Sequence, residues 1–129
     1  MEKKKFSRGN LICQEGTPGS AMYIILSGRV SIFKMMNAEK IELAVLESGD
    51  FCGEMSLLLE GTRTASMEAM TDTEVLILSR ESLLSKIQQD PDFALNMVRT
   101  MAGRMAAAHE VITRIEGEKK SLEIMYGPH

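Results

Sequence analysis

The residues in this chain best suited to chemistry lie close together, between positions 53 and 64. Gly53 stands directly before a short helical pattern over residues 54–59, and Arg63 follows nine residues after Glu54. The first N–H groups of a helix have no partner within it and carry the positive end of its dipole, so they bind anions. A guanidinium pairs with a phosphate through two charge-assisted hydrogen bonds, and the hydroxyl of Thr64 adds a donor beside it. This spacing indicates an anion site that fits a phosphate.

Glu54 is the unexpected member of this set. A carboxylate beside a bound phosphate is repelled unless it has its own partner, and a ribose hydroxyl would supply one, as it does for acidic residues in dinucleotide-binding folds. A structural interpretation of the same residues stays open. Glu54 would then favour the helix N-terminus by about 0.3–1 kcal/mol, and Arg63 would pair with Glu54 or Glu60 at the surface for about 0–1 kcal/mol. The residues by themselves leave both hypotheses standing.

Short apolar runs separated by turn residues fill the chain up to residue 78 and must position this set. The runs occupy residues 10–13, 22–26, 29–35, 41–45, 65–69 and 75–78. Residues 15–20 and 48–50 are glycine-containing turns, and residues 37–40 are typical of a hairpin loop. Many short strands with such turns predict an antiparallel sandwich or barrel.

The pattern becomes helical after residue 78. Ser79 is a predicted N-cap for a helix over residues 80–89, and Asp90-Pro91 predicts the cap and first turn of a second helix that runs over residues 92–116. Along that helix, apolar residues recur at alternating steps of three and four, which is typical of a coiled-coil seam. The seam consists of Val98, Met101, Met105, Ala108, Ile112 and Ile115, and would continue at Lys119 and Leu122. Residues 117–129 are predicted to form a C-terminal tail, frayed over residues 127–129.

The order of residues around the anion site closely resembles the phosphate-binding cassette of the cyclic-nucleotide-binding domain family. That family includes bacterial catabolite activator proteins, the regulatory subunits of cAMP-dependent kinase and cyclic-nucleotide-gated channels. The matching segments are Gly53-Glu54-Met55-Ser56-Leu57-Leu58 and Thr62-Arg63-Thr64-Ala65-Ser66. Further matches upstream are Phe6, Gly9, Ile12, Glu15-Gly16, Gly19, Met22-Tyr23-Ile24-Ile25 and Ser27-Gly28-Arg29-Val30. The resemblance covers about residues 6–116.

This resemblance implies a mainly β fold with flanking α-helices. The expected architecture is an eight-stranded antiparallel β-roll, a double-stranded β-helix or jelly roll, over residues 6–78. A short cassette helix and two C-terminal helices over residues 79–116 would flank it. The ligand would lie inside the roll.

The resemblance also implies a role for each residue of the cassette. Arg63 would bind the cyclic phosphate with Thr64 in support, and Glu54 would hold the ribose 2′-hydroxyl. Gly53 would permit close backbone approach to the ligand. The backbone amides of Met55 and Ser56 would face the phosphate.

Two departures from the family pattern concern the base and the loop. Arg104 matches an arginine that accompanies base recognition by the long helix in the catabolite-activator branch, but the threonine–serine pair that follows is replaced by Ala108 and His109. Many members carry proline where Thr62 stands. The implied ligand is cAMP first and cGMP second. The threonine at position 64 does not decide between them, because it occurs in members that prefer either nucleotide.

Composition and charge argue against several other classes of protein. The formal net charge of −3 provides no overall attraction to nucleic acid or an anionic membrane. Cys13 and Cys52 are too few and too unpatterned for a disulfide framework or a metal site, so neither a metal nor a cofactor is predicted. No apolar run could span a bilayer and the start has no secretory pattern, which favours a cytoplasmic location. No Ser-His-Asp or Cys-His set is present, so no catalytic residue and no enzyme activity are predicted.

The leading functional hypothesis is a sensor module in which a cyclic nucleotide repositions the C-terminal helices. The seam predicts a homodimer through the helix over residues 92–116, although a helix packed on its own roll stays an alternative. The signal would pass to a protein target that the sequence does not identify, with no direct binding to nucleic acid or membrane. The second hypothesis is the sensor half of a catabolite-activator-type transcription regulator that lacks its DNA-binding domain.

Overall fold

Eight strands and three helices make up the computed structural model, which describes residues 1–59 and 61–126. The strands are β1 (Glu2–Phe6), β2 (Leu11–Cys13), β3 (Met22–Ser27), β4 (Val30–Met36), β5 (Glu39–Leu46), β6 (Phe51–Cys52), β7 (Ser66–Ala69) and β8 (Thr73–Leu78). The helices are α1 (Glu54–Leu59), α2 (Arg80–Gln89) and α3 (Pro91–Tyr126). The chain forms two compact units, residues 1–85 and residues 86 onward, which divide within α2.

The strands form two four-stranded antiparallel sheets, with the orders β1-β8-β3-β6 and β2-β7-β4-β5. Each sheet contributes three side chains to one buried cluster. These are Ile25, Cys52 and Val75 from the first sheet and Val30, Leu46 and Met67 from the second. Because burying a side chain of this size contributes about 1.5–3 kcal/mol, the cluster holds the sheets together. The predicted fold class, an eight-stranded antiparallel β-roll with flanking helices, is confirmed.

Two of the eight strands were not visible as strand patterns in the sequence. The basic run Lys3-Lys4-Lys5 lies in β1 and pairs with β8 from Glu2↔Ile77 to Phe6↔Thr73. Its lysine side chains are exposed, as expected for the edge strand of a sheet, where charge discourages further pairing. β6 has only two residues, both buried, and pairs with Tyr23 and Ile24 of β3. Pairing with distant strands, not local pattern, makes both segments extended.

The hairpin between β4 and β5 is tighter than predicted. Asn37 and Ala38 have φ values of 53° and 63° and form its turn, while Glu39 and Lys40 already belong to β5. Two consecutive residues with positive φ are typical of the two-residue turn that matches the twist of paired strands. The predicted loop over residues 37–40 therefore shrinks to two residues.

The starts of the two C-terminal helices are confirmed. The N–H of Ser82 donates to Ser79 Oγ at 3.2 Å, which makes Ser79 the N-cap of α2. In the second unit, the N–H of Phe93 donates to Asp90 Oδ1 at 3.3 Å, and Pro91 is the first residue of α3.

The end of α3 differs from the prediction. The helix continues through Gly117 to Tyr126, where the sequence pattern placed a tail from residue 117. An internal glycine costs a helix only about 1 kcal/mol relative to alanine, and no proline follows before Pro128. The frayed end predicted over residues 127–129 lies outside the described residues.

The predicted seam of α3 is exposed along most of its length. Val98, Met105, Ile112 and Ile115 are 60%, 73%, 54% and 59% exposed. Met101 is half-buried and Ala108 is exposed. A stripe of exposed large apolar side chains is unusual on a helix in water.

Candidate ligand-binding site

Gly53 lies at the start of the site, where it joins β6 to α1 in a backbone conformation that favours glycine. Its φ is +84°, in the left-handed region. A Cβ at this position would lie 2.7 Å from Nη1 of Arg63 and 2.9 Å from the carbonyl oxygen of Ala21. The N–H of Leu57 donates to the Gly53 carbonyl at 3.3 Å and closes the first turn of α1. Gly53 thus lets the chain turn into α1 while a guanidinium lies against its backbone.

Arg63 is buried, with 6% of its surface exposed. Among the residues that the structure describes, no other charged residue is classed as buried. Its backbone is fixed by the loop before β3: its N–H donates to the Thr17 carbonyl at 2.8 Å, and its carbonyl accepts from the Gly16 N–H at 2.9 Å. Its Nη1 lies 3.5 Å from the Gly53 carbonyl oxygen, the outer limit of a hydrogen bond. Arg63 lies three residues before β7. The structure therefore brings Gly53 and Arg63 together.

Two further residues surround the Arg63 side chain, and the cassette pattern did not single them out. A Cβ on Gly19 would lie 2.6 Å from both Cζ and Nη2 of Arg63 and would also clash with Nε. The Arg63 Cζ lies 5.3 Å from the centroid of the Tyr23 ring, within the range of a cation–π contact. In the sequence, Gly19 read as a turn residue and Tyr23 as part of a buried strand. Nothing in linear spacing links either of them to a residue some forty positions away.

The other predicted residues of the cassette differ in their exposure. Glu54 is half-buried, and its Oε2 is shielded from solvent. Ser56 is buried, at 6% exposed, whereas the Met55 side chain is half exposed. Thr64 is exposed in the loop that leads to β7. Arg104 lies on the exposed surface of α3, in the second unit.

A cavity of about 710 Å³ lies beside α1 within the first unit, in the size range of small-molecule pockets. Its wall includes Ser56 from the predicted set, as well as Gly19, which touches Arg63. The lining residues are Pro18, Gly19, Ser20, Ser56, Leu57, Gly61, Thr62 and Arg80. Nη2 of Arg80 donates to the Leu57 carbonyl at 3.0 Å and ties the start of α2 to α1. The sequence had shown Arg80 only as the first residue of a helix.

Two titratable groups near Arg63 are perturbed by their surroundings. Burial raises the pKa of the Tyr23 phenol above its ordinary value of 10.0, while the positive charge of Arg63 acts in the opposite direction. Burial likewise raises the pKa of the Cys13 thiol, against a lowering by Arg63. A thiol with a raised pKa is a weak nucleophile. Among residues 1–59 and 61–126, no group of three acidic, cysteine or histidine residues could hold a metal ion.

The structure is a β-roll in which a buried arginine lies against two glycines, beside a cavity of small-molecule size. Comparison with known proteins identifies the class of this domain. Residues 3–90 match the model of the cyclic nucleotide-binding domain, so the chain belongs to that family. It is 34% identical to the cyclic AMP receptor protein of Thermus thermophilus over 127 residues, 98% of this chain and 59% of that protein. It is 39% identical over 85 residues to the cGMP-dependent protein kinase egl-4 of Caenorhabditis elegans, 64% of this chain and 11% of the kinase.

The solved structures agree with this assignment. The crystal structure of the Thermus thermophilus catabolite activator protein superimposes with a TM-score of 0.80 at 35% identity, over 89% of this chain and 55% of that one. The chain thus spans little more than half the length of the bacterial regulators it resembles. In the part of the chain that the structure describes, no helix has both the length and the apolar character needed to cross a membrane.

Proposed function

We propose that this chain is a sensor module that binds cAMP through Arg63 and transmits binding to its C-terminal helices. The observation that carries the proposal is the buried Arg63 beside Gly53, at the start of α1, in a member of the cyclic nucleotide-binding family. A cationic side chain is costly inside a β-roll unless it meets an anion or several acceptors. A cyclic phosphate meets a guanidinium with two oxygens, so ligand binding would stabilise the fold.

In this proposal, each cassette residue binds a particular part of the nucleotide. Arg63 binds the cyclic phosphate and Thr64 supports it, while the backbone amides of Met55 and Ser56 face the same group. Glu54 accepts a hydrogen bond from the ribose 2′-hydroxyl, which explains a carboxylate close to a phosphate. Its half-buried position supports this role, because a carboxylate largely removed from water gains more from a hydroxyl donor.

Arg104 is the one candidate for contact with the base, as the resemblance to the catabolite-activator branch implies. Ala108 and His109 replace the threonine–serine pair that accompanies this arginine in that branch. We favour cAMP over cGMP because the cyclic AMP receptor protein matches along 98% of this chain, including α3, whereas the cGMP-dependent kinase matches along 64%. Thr64 does not discriminate between the two nucleotides.

The exposed seam of α3 supports a homodimer in which this helix pairs with its twin. Four of its six residues are more than half exposed, and pairing would cover them in the manner of a coiled coil. A cyclic nucleotide that binds one arrangement of the helices more tightly shifts the population toward it. We expect the output to be contact with a protein target in the cytoplasm rather than with DNA, since the net charge of −3 opposes association with a polyanion.

Calorimetric titration with cAMP and cGMP tests the site. Because Arg63 supplies two charge-assisted hydrogen bonds, Arg63→Ala should weaken cAMP binding by about 100-fold or more. Arg29→Ala is the matched control, since this arginine of the same unit has an exposed side chain and should leave the affinity unchanged. Tight cAMP binding by the Arg63→Ala variant would exclude Arg63 as the phosphate ligand.

The sensor half of a larger transcription regulator is the second candidate, favoured by the chain's coverage of only 59% of the Thermus protein. An antibody against this domain would distinguish the two in cells of the source organism. The stand-alone sensor predicts a protein of 14.3 kDa. The regulator predicts a clearly larger protein with the same amino-terminal sequence.

A further inference from the structure

The Arg63 guanidinium lies in a socket formed by Gly19, Tyr23 and Gly53, and only Gly53 belongs to the cassette segment. Gly19 comes from the loop before β3, Tyr23 from β3 itself and Gly53 from the junction of β6 and α1. The three residues are separated in sequence and come together around this side chain. A guanidinium can bind a phosphate with two parallel bonds only if its plane is held in one orientation, which makes the surroundings of Arg63 relevant to affinity.

Gly19 contributes space, not backbone freedom. Its φ lies outside the left-handed region, in contrast to that of Gly53 at +84°, so its backbone would accept other residues. A single added carbon would nevertheless collide with Nε and lie 2.6 Å from Cζ and Nη2 of Arg63. These atoms form the planar guanidinium at the end of a flexible side chain, so the clash would be relieved by moving that group and not the backbone. A methyl group at position 19 would therefore displace the guanidinium.

Tyr23 contributes a fixed aromatic surface. Its ring centroid lies 5.3 Å from Cζ of Arg63, where the ring attracts the cation. β3 is an interior strand, and Tyr23 pairs with Ile77 of β8 on one side and with Cys52 of β6 on the other. Pairing on both sides fixes the backbone of Tyr23 relative to the sheet. The contact with Tyr23 therefore positions the guanidinium plane of Arg63 relative to the sheet, although Arg63 itself lies in a loop.

We propose that Tyr23 and Gly19 are positioning residues, which hold the Arg63 guanidinium in the orientation that binds the cyclic phosphate. Tyr23 attracts the face of the guanidinium and Gly19 leaves the room it needs, so both act on the ligand through Arg63. This inference rests on the proposed function, because it assigns to Arg63 the phosphate of the nucleotide.

Calorimetry with cAMP on four variants tests the socket. Tyr23→Leu removes the ring and should weaken binding by about tenfold, as expected for the loss of a desolvated cation–π contact. Tyr23→Phe keeps the ring and should remain within about threefold of the parent. Gly19→Ala should weaken binding by at least about tenfold, whereas Gly117→Ala, at a glycine of α3 with open space around it and outside the cavity wall, should have no effect. Gly19→Ala with parental affinity and a parental melting temperature would overturn the proposal.

A second measurement follows the contact without any ligand and keeps the proposal testable if the Tyr23→Leu variant does not fold. Tyr126→Phe leaves Tyr23 as the one tyrosine of the chain, whose phenol can then be titrated by its ultraviolet absorbance. Arg63→Gln in this background should raise the pKa of Tyr23, because the nearby positive charge that lowers it is gone. An unchanged pKa would mean that Arg63 does not lie beside the Tyr23 phenol, and would refute the socket.

A wrong proposed function and a wrong role for the socket would give different results. If the parent chain binds neither cAMP nor cGMP, the proposed function is wrong and the role of the socket in binding falls with it. If the parent binds cAMP and both Tyr23→Leu and Gly19→Ala bind it equally well, only the socket is wrong. Tyr23→Leu should also be measured in the Arg63→Gln background. If it weakens cAMP binding there by the same factor as in the parent, the effect is a general structural one and not positioning through Arg63.

Discussion

Gly53→Ala places a single methyl group at the junction of β6 and α1 and tests the local geometry of the site. Two costs add at this position. A non-glycine residue with a φ of +84° is strained by about 1–3 kcal/mol. The added carbon would also lie 2.9 Å from the Ala21 carbonyl oxygen and 2.7 Å from Arg63 Nη1, and forcing such a contact costs about 1–3 kcal/mol.

The sum, about 2–6 kcal/mol, is a large fraction of the 5–15 kcal/mol that stabilises a typical domain. For a chain of this size it corresponds to a fall in the melting temperature of about 6 °C or more. Urea unfolding monitored by circular dichroism measures the free energy, and differential scanning calorimetry measures the melting temperature. Gly61→Ala is the control, because its Cβ would meet nothing within 4 Å and should leave both quantities nearly unchanged. A Gly53→Ala variant as stable as Gly61→Ala would refute the geometry described for this junction.

Three further predictions concern the core, the seam and the response to pH. Leu57→Ala should lower the free energy of unfolding by about 2–5 kcal/mol, since this side chain of α1 is 2% exposed, and parental stability in urea would contradict its burial. Ile112→Glu should shift the chain from dimer to monomer in sedimentation equilibrium, because it places a charge in the seam. Ala107→Glu, which lies off the seam, should leave the dimer intact. Equal behaviour of the two variants would argue against pairing through α3. Stability should fall as the pH rises above about 9, because the raised pKa values of Cys13 and Tyr23 mean that the folded chain keeps protons that the unfolded chain loses. The loss should be smaller in a Cys13→Ala variant, and a denaturation midpoint that stays constant up to pH 11 would contradict the prediction.

Most of the regular structure was predictable because it depends on local patterns. Alternation and glycine turns predicted six of the eight strands, and capping residues located the starts of α2 and α3. The exceptions were β1 and β6, whose residues become strands by pairing with β8 and β3. The end of α3 was missed for a related reason, since Gly117 weakens a helix without breaking it.

The site was predictable only in part. The residue types and spacing from Gly53 to Thr64 indicated an anion site, but left open a surface ion pair for Arg63. The burial of Arg63 argues against that alternative, because a side chain only 6% exposed is not a surface partner. The family resemblance that ranked the hypotheses is confirmed by the match over residues 3–90.

What the sequence determined by itself is the set of groups available at this site: a glycine before a helix start, followed at a fixed distance by an arginine and a threonine. Those features are local, since they depend on which donors a short segment can present. What only the tertiary structure decided is how the arginine is held. Gly19 and Tyr23 lie more than forty and about forty residues from Arg63 in the chain, and they reach it because the β2–β3 loop and an interior strand fold against the segment that carries it. Steric fit and cation–π contact act over a few ångströms of space, so no spacing along the chain could have revealed them.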